Sequence, residues 1–177
     1  MRIISGKYKG KRLMAPKKLP VRPTTDFAKE ALFNILNNKV EFDDVSLLDL
    51  FSGTGNISFE FASRGTEEIT SVDAHFGCVK YINLISEELD FSIKTVKSDV
   101  FKYLNTTPFS FDVIFADPPY NLKQEEFESI VNKTFGRNLL KEDGFLIIEH
   151  SKHTDLSKVK QFVDARRYGG SVFSFFE

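Results

Sequence analysis

The chain has no tryptophan, one cysteine, two methionines and six prolines among its 177 residues. A lone Cys78 excludes an internal disulfide or a thiolate metal cluster and fits a reducing cytoplasm. No apolar run approaches the roughly 18 residues that a membrane span requires, so no integral membrane protein is expected. The opening Met1–Gly6 lacks the apolar core of a secretion signal, and no metal site is expected. Internal repeats, low-complexity tracts and long linkers are missing as well, and the length suits one compact domain with a small appendage at most. Acid is missing from one place in particular. Residues 1–22 carry Arg2, Lys7, Lys9, Lys11, Arg12, Lys17, Lys18 and Arg22 with no Asp or Glu, a charge of +8. The net charge of the whole chain is −1, so the remainder carries −9. Such a split fits a basic end that meets a polyanion, and it fits equally a solvated arm. What is abundant is phenylalanine: 19 residues, which predicts a phenylalanine-rich core.

Met1–Met14 reads as two short extended pieces around Gly6-Lys7-Tyr8-Lys9-Gly10, a hairpin pattern. Pro16, Pro20 and Pro23 hold the chain extended up to Thr24. Thr24 or Thr25 then caps a helix that sets Ala28, Ala31, Leu32, Ile35 and Leu36 on one face. From Val45 onward, apolar runs at 45–50, 69–72, 93–96, 113–115 and 145–148 alternate with amphipathic stretches at 57–63, 79–89 and 125–135 and a short turn at 100–104. That rhythm predicts an α/β, doubly wound, Rossmann-like sheet that is mainly parallel and covered on both faces. Residues 159–168 and 171–176 flank Gly169-Gly170 and predict an antiparallel hairpin that closes the sheet. The expected division is a basic N-terminal extension at 1–23 and the α/β domain at 24–177.

Four motifs end strands of this sheet. In Leu48-Asp49-Leu50-Phe51-Ser52-Gly53-Thr54-Gly55-Asn56, a buried strand enters Gly-x-Gly and then a helix, where free amides face a ligand. A dinucleotide fingerprint would place a third glycine where Ser58 stands. A tight strand-to-helix turn is the plainer alternative, but Asp49 favours an ammonium-bearing cofactor over a phosphate. Asp73 ends the next strand about 20 residues later, where an acid accepts hydrogen bonds from a ribose diol. Ser98-Asp99-Val100 ends the third, where Asp99 suits an adenine amino group and the Val100 amide a ring nitrogen. Capping of the following helix is the alternative for both Asp73 and Asp99. The most informative motif is Asp117-Pro118-Pro119-Tyr120 at the end of the fourth strand. Asp117 is an acceptor, the prolines lack N–H and free their carbonyls, and Tyr120 offers a ring face for stacking. Two acceptors beside a ring suit a flat group bearing NH₂.

These motifs resemble those of class I S-adenosylmethionine-dependent amino-group methyltransferases. The opening Arg2-Ile3-Ile4-Ser5-Gly6-Lys7-Tyr8-Lys9-Gly10-Lys11-Arg12-Leu13 narrows the resemblance. So do Arg22-Pro23-Thr24-Thr25-Asp26 with Glu30, Leu32, Phe33 and Asn34, and Tyr168-Gly169-Gly170-Ser171-Val172-Phe173. With them the chain resembles, along nearly its whole length, the bacterial 16S ribosomal RNA guanine-N2 methyltransferases of the RsmD type.

The resemblance implies a class I methyltransferase fold of seven strands and S-adenosylmethionine as cofactor. The cofactor would meet Asp49, Phe51, Ser52, Gly53, Thr54, Gly55, Asp73, Ala74, Asp99 and Val100. Asp117, Pro118, Pro119 and Tyr120 would hold the target guanine of 16S rRNA in the small ribosomal subunit. Arg2, Lys7, Lys9, Lys11, Arg12, Arg22 and Thr24 would bind RNA; by charge alone Lys152, Lys158, Arg166 and Arg167 fit an extension of that surface and fit equally an ordinary solvated face. A monomer in the cytoplasm, with no membrane partner, completes the expectation. Thr54-Gly55-Asn56 departs from the family's more usual Ser-Gly-Ala, and Asp73 is shorter than its frequent glutamate. The competing readings are a DNA adenine-N6 methyltransferase, a protein glutamine methyltransferase, a nicotinamide oxidoreductase, and a non-catalytic RNA-binding protein of ribosome assembly. The first needs a recognition domain for which 177 residues leave little room. The second more often has Asn where Asp117 stands, and Ser58 argues against the third.

Overall fold

The computed structural model describes residues 1–20 and 25–177. Arg22 and Thr24, two of the residues expected to bind RNA, and the extended segment expected at Pro23 lie outside the described residues.

Two Thr25 features start the first helix, α1 (Asp26–Leu36): its backbone is extended, and its Oγ1 accepts from the Ala28 amide at 3.2 Å. Strand β1 (Ser46–Leu50) follows, buried at every position. Then come α2 (Asn56–Ser63), β2 (Glu68–Asp73), α3 (Phe76–Leu89), β3 (Ile93–Lys97), α4 (Val100–Thr106), β4 (Phe111–Ala116) and α5 (Gln124–Gly136). A long β5 (Leu140–Ser151) and the hairpin β6 (Phe162–Tyr168) and β7 (Ser171–Phe176) end the chain. Among the described residues, seven strands form one sheet in the order β3-β2-β1-β4-β5-β7-β6. Strands β1 to β5 pair in parallel, and β7 pairs antiparallel with both β5 and β6. The expected doubly wound sheet with an antiparallel terminal hairpin is what forms.

Alternation along the buried strands sends side chains to two cores. Leu48, Leu50, Ile114 and Ile148 face α4 and α5, where Leu104, Phe127, Ile130 and Val131 cover them. Leu47, Val113, Phe115 and Ile147 face α1 and α2 and meet Leu32, Phe33, Leu36 and Phe61. Covering both faces explains why these strands read as unbroken apolar runs.

Strand order reverses between β1 and β4, so the crevice at their carboxyl ends is the natural ligand position. β5 is longer than its apolar signal. It starts in the exposed Lys141-Glu142-Asp143 and continues through buried Glu149 and His150. The His150 ring bonds to the Ser174 hydroxyl at 2.8 Å and to the Ser151 carbonyl at 2.9 Å, so a polar residue is satisfied inside the sheet. β6 begins at Phe162 rather than Val159, because residues 156–159 close a turn (Val159 N–H to Leu156 O, 3.0 Å).

The N-terminal segment folds back on itself: Arg2 bridges Arg12 antiparallel, and the Ile3 and Leu13 amides donate to Lys11 and Met1 carbonyls. Ile3 and Leu13 are buried with Phe59, Tyr81, Ile82, Ile85 and Leu89 against α2 and α3. At Gly6, with φ of +80°, any Cβ would overlap the Ser63 carbonyl oxygen, so only glycine lets the hairpin lie this close to α2. No helix among the described residues is long and apolar enough to cross a membrane.

Candidate active site

A cleft of about 390 Å³ opens where β1 and β4 end. The glycine loop forms one wall. Phe51 sits there at φ +56°, Gly53 at +52° and Gly55 at +77°, so three positive-φ residues turn the chain from strand into helix. A Cβ at Gly55 would press on Ile82 and Phe59, which makes glycine necessary beneath the loop. The loop is pinned from β2: the Ser52 amide donates to Val72 O at 3.1 Å and the Gly53 amide to Asp73 Oδ2 at 2.8 Å. The other wall is Asp117–Tyr120, and the Asp117 amide donates to Leu50 O at 3.3 Å, tying the two loops together. The glycine loop and the Asp117-Pro118-Pro119-Tyr120 loop, about 60 residues apart in the chain, thus face one cleft.

Of the expected cofactor residues, Asp49, Phe51, Ser52, Gly53, Thr54 and Asp73 line the cleft. Gly55 lies under it, and Ala74, Asp99 and Val100 are not part of its lining. Asp99 caps α4 by accepting from the Lys102 amide at 2.9 Å, and the Val100 side chain is buried in the core. Asp73 does not cap α3. His75 does, accepting from the Gly77 amide at 3.1 Å, while Asp73 Oδ1 accepts from the His75 amide at 2.8 Å. His75 is exposed, and capping α3 is the role its side chain has here.

Asp49 is 2% exposed, and its Oδ2 accepts from the Ser58 hydroxyl at 2.6 Å and the Ser58 amide at 3.2 Å. Ser58 in turn meets the Ser71 hydroxyl at 2.7 Å. The serine that breaks the dinucleotide pattern therefore positions the carboxylate. Burial pushes the Asp49 carboxyl up to about 7, the Ser58 bonds oppose that rise, and the nearby Asp73 charge adds to it. Sequence reasoning noted Ser58 and Asn56 only as departures from a pattern, and it missed Glu149. Asn56 and Glu149 are buried and line the cleft, as do Pro20 and Thr25. The signal for Glu149 was available: a single acid at the carboxyl end of an apolar strand, as at Asp49, Asp73 and Asp117.

Four carboxylates, those of Asp49, Asp73, Asp117 and Glu149, line this cleft, and no lysine or arginine does so among the described residues. Such a field favours a cationic ligand and repels phosphate. Among the described residues no group of three or more acidic, His or Cys side chains is arranged to hold a metal ion.

The basic residues lie elsewhere. Lys7, Lys9 and Arg12 are exposed, Lys11 pairs with Glu88 at 2.8 Å, and Arg2 pairs with Asp26 at 3.4 Å.

The family model described as Conserved hypothetical protein 95 matches residues 1–177. The chain belongs to this family. The Bacillus subtilis protein "Putative rRNA methyltransferase YlbH" is 35% identical over 161 residues, covering 88% of this chain and 85% of its own length. The Escherichia coli ribosomal RNA small subunit methyltransferase D is 29% identical over 157 residues, covering 84% of this chain and 71% of that protein. The RsmD-type resemblance is thereby borne out. Among solved structures, the Thermus thermophilus 16S rRNA N2 methyltransferase RsmC, in complex with AdoMet and guanosine, superposes with a TM-score of 0.73 at 19% identity. It covers 90% of this chain and 45% of the other, and it shows the shared class I methyltransferase fold.

Proposed function

We propose that the protein transfers a methyl group from S-adenosylmethionine to the exocyclic N2 of a guanine in 16S ribosomal RNA. The observation that carries the reading is the acidic cleft between the glycine loop and Asp117. S-adenosylmethionine bears a sulfonium and an ammonium group and no phosphate, and the residues present fit it. A desolvated Asp49 gains from a cationic partner, Asp73 on the cleft wall supplies a carboxylate acceptor suited to a ribose diol, and the volume falls within the range of about 300–1,000 Å³ usual for small-molecule sites. Residues 49–55 and Asp73 would hold the cofactor; Ala74, Asp99 and Val100 would contribute beyond the cleft wall. When bound, this cofactor supplies an electrophilic methyl group.

The chain's own residues act on the base. Guanine N2 is a weak nucleophile because its lone pair is delocalised into the ring. The Asp117 carboxylate and the Pro118 carbonyl accept its two amino hydrogens, which favours pyramidal nitrogen and stabilises the positive charge that develops there. The proton released from the methylated nitrogen passes to Asp117 or to water. Tyr120, 38% exposed at the cleft mouth, is available to stack on the base. N2 lies on the paired edge of guanine, so the target is an unpaired or flipped nucleotide.

Residues 1–23 contribute the cationic grip on RNA, and residues 24–177 contribute catalysis. The partner is the small ribosomal subunit or its 16S rRNA, met in the cytoplasm by a monomer.

The test is methyl incorporation into 16S rRNA or small subunits, with the product mapped as N2-methylguanine. Asp117→Ala is expected to lower turnover by about 10²–10³-fold or more while cofactor affinity stays within a few-fold. Wild-type turnover in that variant would refute the role of Asp117, and a product other than N2-methylguanine would refute the substrate.

A further inference from the structure

The proposed function gives Asp49, Asp73 and Asp117 tasks and leaves the fourth carboxylate of the cleft without one. Glu149 is 2% exposed near the end of β5, after the apolar run Phe145-Leu146-Ile147-Ile148. β4 and β5 are parallel, and Ala116 is the register partner of Ile148. Asp117 and Glu149 each lie one residue further on, at matching positions of adjacent strands, and both line the cleft. A buried carboxylate is costly unless donors are brought to it. It offers two oxygens and about four lone-pair sites, enough to serve both the protein and a ligand.

Guanine presents two adjoining donors on its pairing edge, N1–H and the N2 amino group, whereas adenine has a bare acceptor at N1. We propose that Glu149 accepts the N1–H of the target guanine while Asp117 and the Pro118 carbonyl hold N2. Two acids on neighbouring strands then read one base edge. This rests on the proposed guanine-N2 activity. Glu149 is a specificity residue: a base with an unprotonated N1 sets its own lone pair against the carboxylate, where guanine offers a donor.

The experiment compares guanine with 2-aminopurine at the target position of semi-synthetic 16S RNA, using the full chain and S-adenosylmethionine. 2-Aminopurine keeps the amino group at C2 but has no hydrogen on N1. The wild-type protein is expected to prefer guanine in kcat/KM by about 10²-fold or more. Glu149→Gln places an N–H donor where only acceptors stood. It is expected to slow the guanine reaction and to move the preference toward 2-aminopurine by about tenfold or more. A preference unchanged in Glu149→Gln would confine Glu149 to a structural role and overturn the proposal. Equal turnover of both bases by the wild-type protein overturns it without any variant. Absence of N2-methylation on the guanine RNA would instead remove the activity reading, and this inference with it.

Discussion

Helix α2 separates two buried carboxylates that the fold treats in opposite ways. On its N-terminal-hairpin side, Glu60 is fully buried and surrounded by cations. Lys29 Nζ lies 3.2 Å from Oε2 and Arg64 3.0 Å from Oε1, and the Ile4 and Ser5 amides donate at 2.9 and 3.0 Å. On its cleft side, Asp49 is equally buried, yet its bonding partner Ser58 is neutral. Both carboxylates depend on one helix, since Ser58 and Glu60 are two residues apart. The difference separates structure from function. Charge that the protein balances internally fastens the hairpin to the domain, and charge it leaves unbalanced is where the proposed reading seats the cofactor.

The largest effect is expected on the balanced side. Glu60→Ala strands Lys29 and Arg64 and removes the acceptor for two hairpin amides. Burial already holds the Lys29 ammonium below its usual pKa, with Glu60 the main opposing influence. Breaking a buried pair of this kind costs about 3–5 kcal/mol. Urea unfolding is the measurement, and limited proteolysis is expected to cut first within residues 1–20. A loss under about 1 kcal/mol would break the comparison, because Glu60 would then be no more than a surface-like charge.

On the cleft side the sign reverses. The Asp49 carboxyl is pushed up to about 7 from 3.8, so the folded protein retains a proton that the unfolded chain releases. Its contribution to stability therefore falls as pH rises from about 4 to 7 and stays unfavourable above that range. Asp49→Asn is expected to raise the ligand-free melting temperature more at pH 8 than at pH 5, and to weaken S-adenosylmethionine by about tenfold or more. In the wild-type protein, affinity for this cation is expected to fall below pH 7 by as much as tenfold per unit. A pH-independent affinity would assign Asp49 to the fold alone.

The comparison also shows what the sequence made legible. Strands β1 and β4 announced themselves as apolar runs because both sheet faces are covered there, and Asp49, Asp73 and Asp117 stood out as acids near strand ends. The start of β5 was silent because its first residues are exposed, and its end was masked by Glu149 and His150. Lys29 sits among Ala28, Leu32, Phe33 and Leu36 on the buried face of α1, a place no periodicity assigns to lysine. Its burial follows from Glu60, 31 positions away, and such pairing exists only in the folded chain. Ser58 was similarly opaque: its value lies in Asp49 and Ser71, which the sheet places on either side of it.

The smallest effects separate the hairpin's own cations. Lys11 is engaged with Glu88, and Arg2 with Asp26 and, through its carbonyl, with Lys29 at 2.6 Å. Lys7, Lys9 and Arg12 are exposed on a hairpin that Glu60 holds in place, with the Lys7 ammonium 5.3 Å from the Tyr8 ring centroid. If this surface grips RNA phosphates, neutralising those three is expected to flatten the log–log salt dependence of RNA binding by roughly 0.7–0.9 per lost contact. Lys11→Ala, which also releases Glu88, is expected to change the slope less than any of them. Equal slopes in every variant would make the cations a solvated face, and Glu60 would then anchor a purely structural hairpin. A flattened slope with cofactor affinity unchanged would divide the labour between the two sides of α2: polyanion on one, cation on the other.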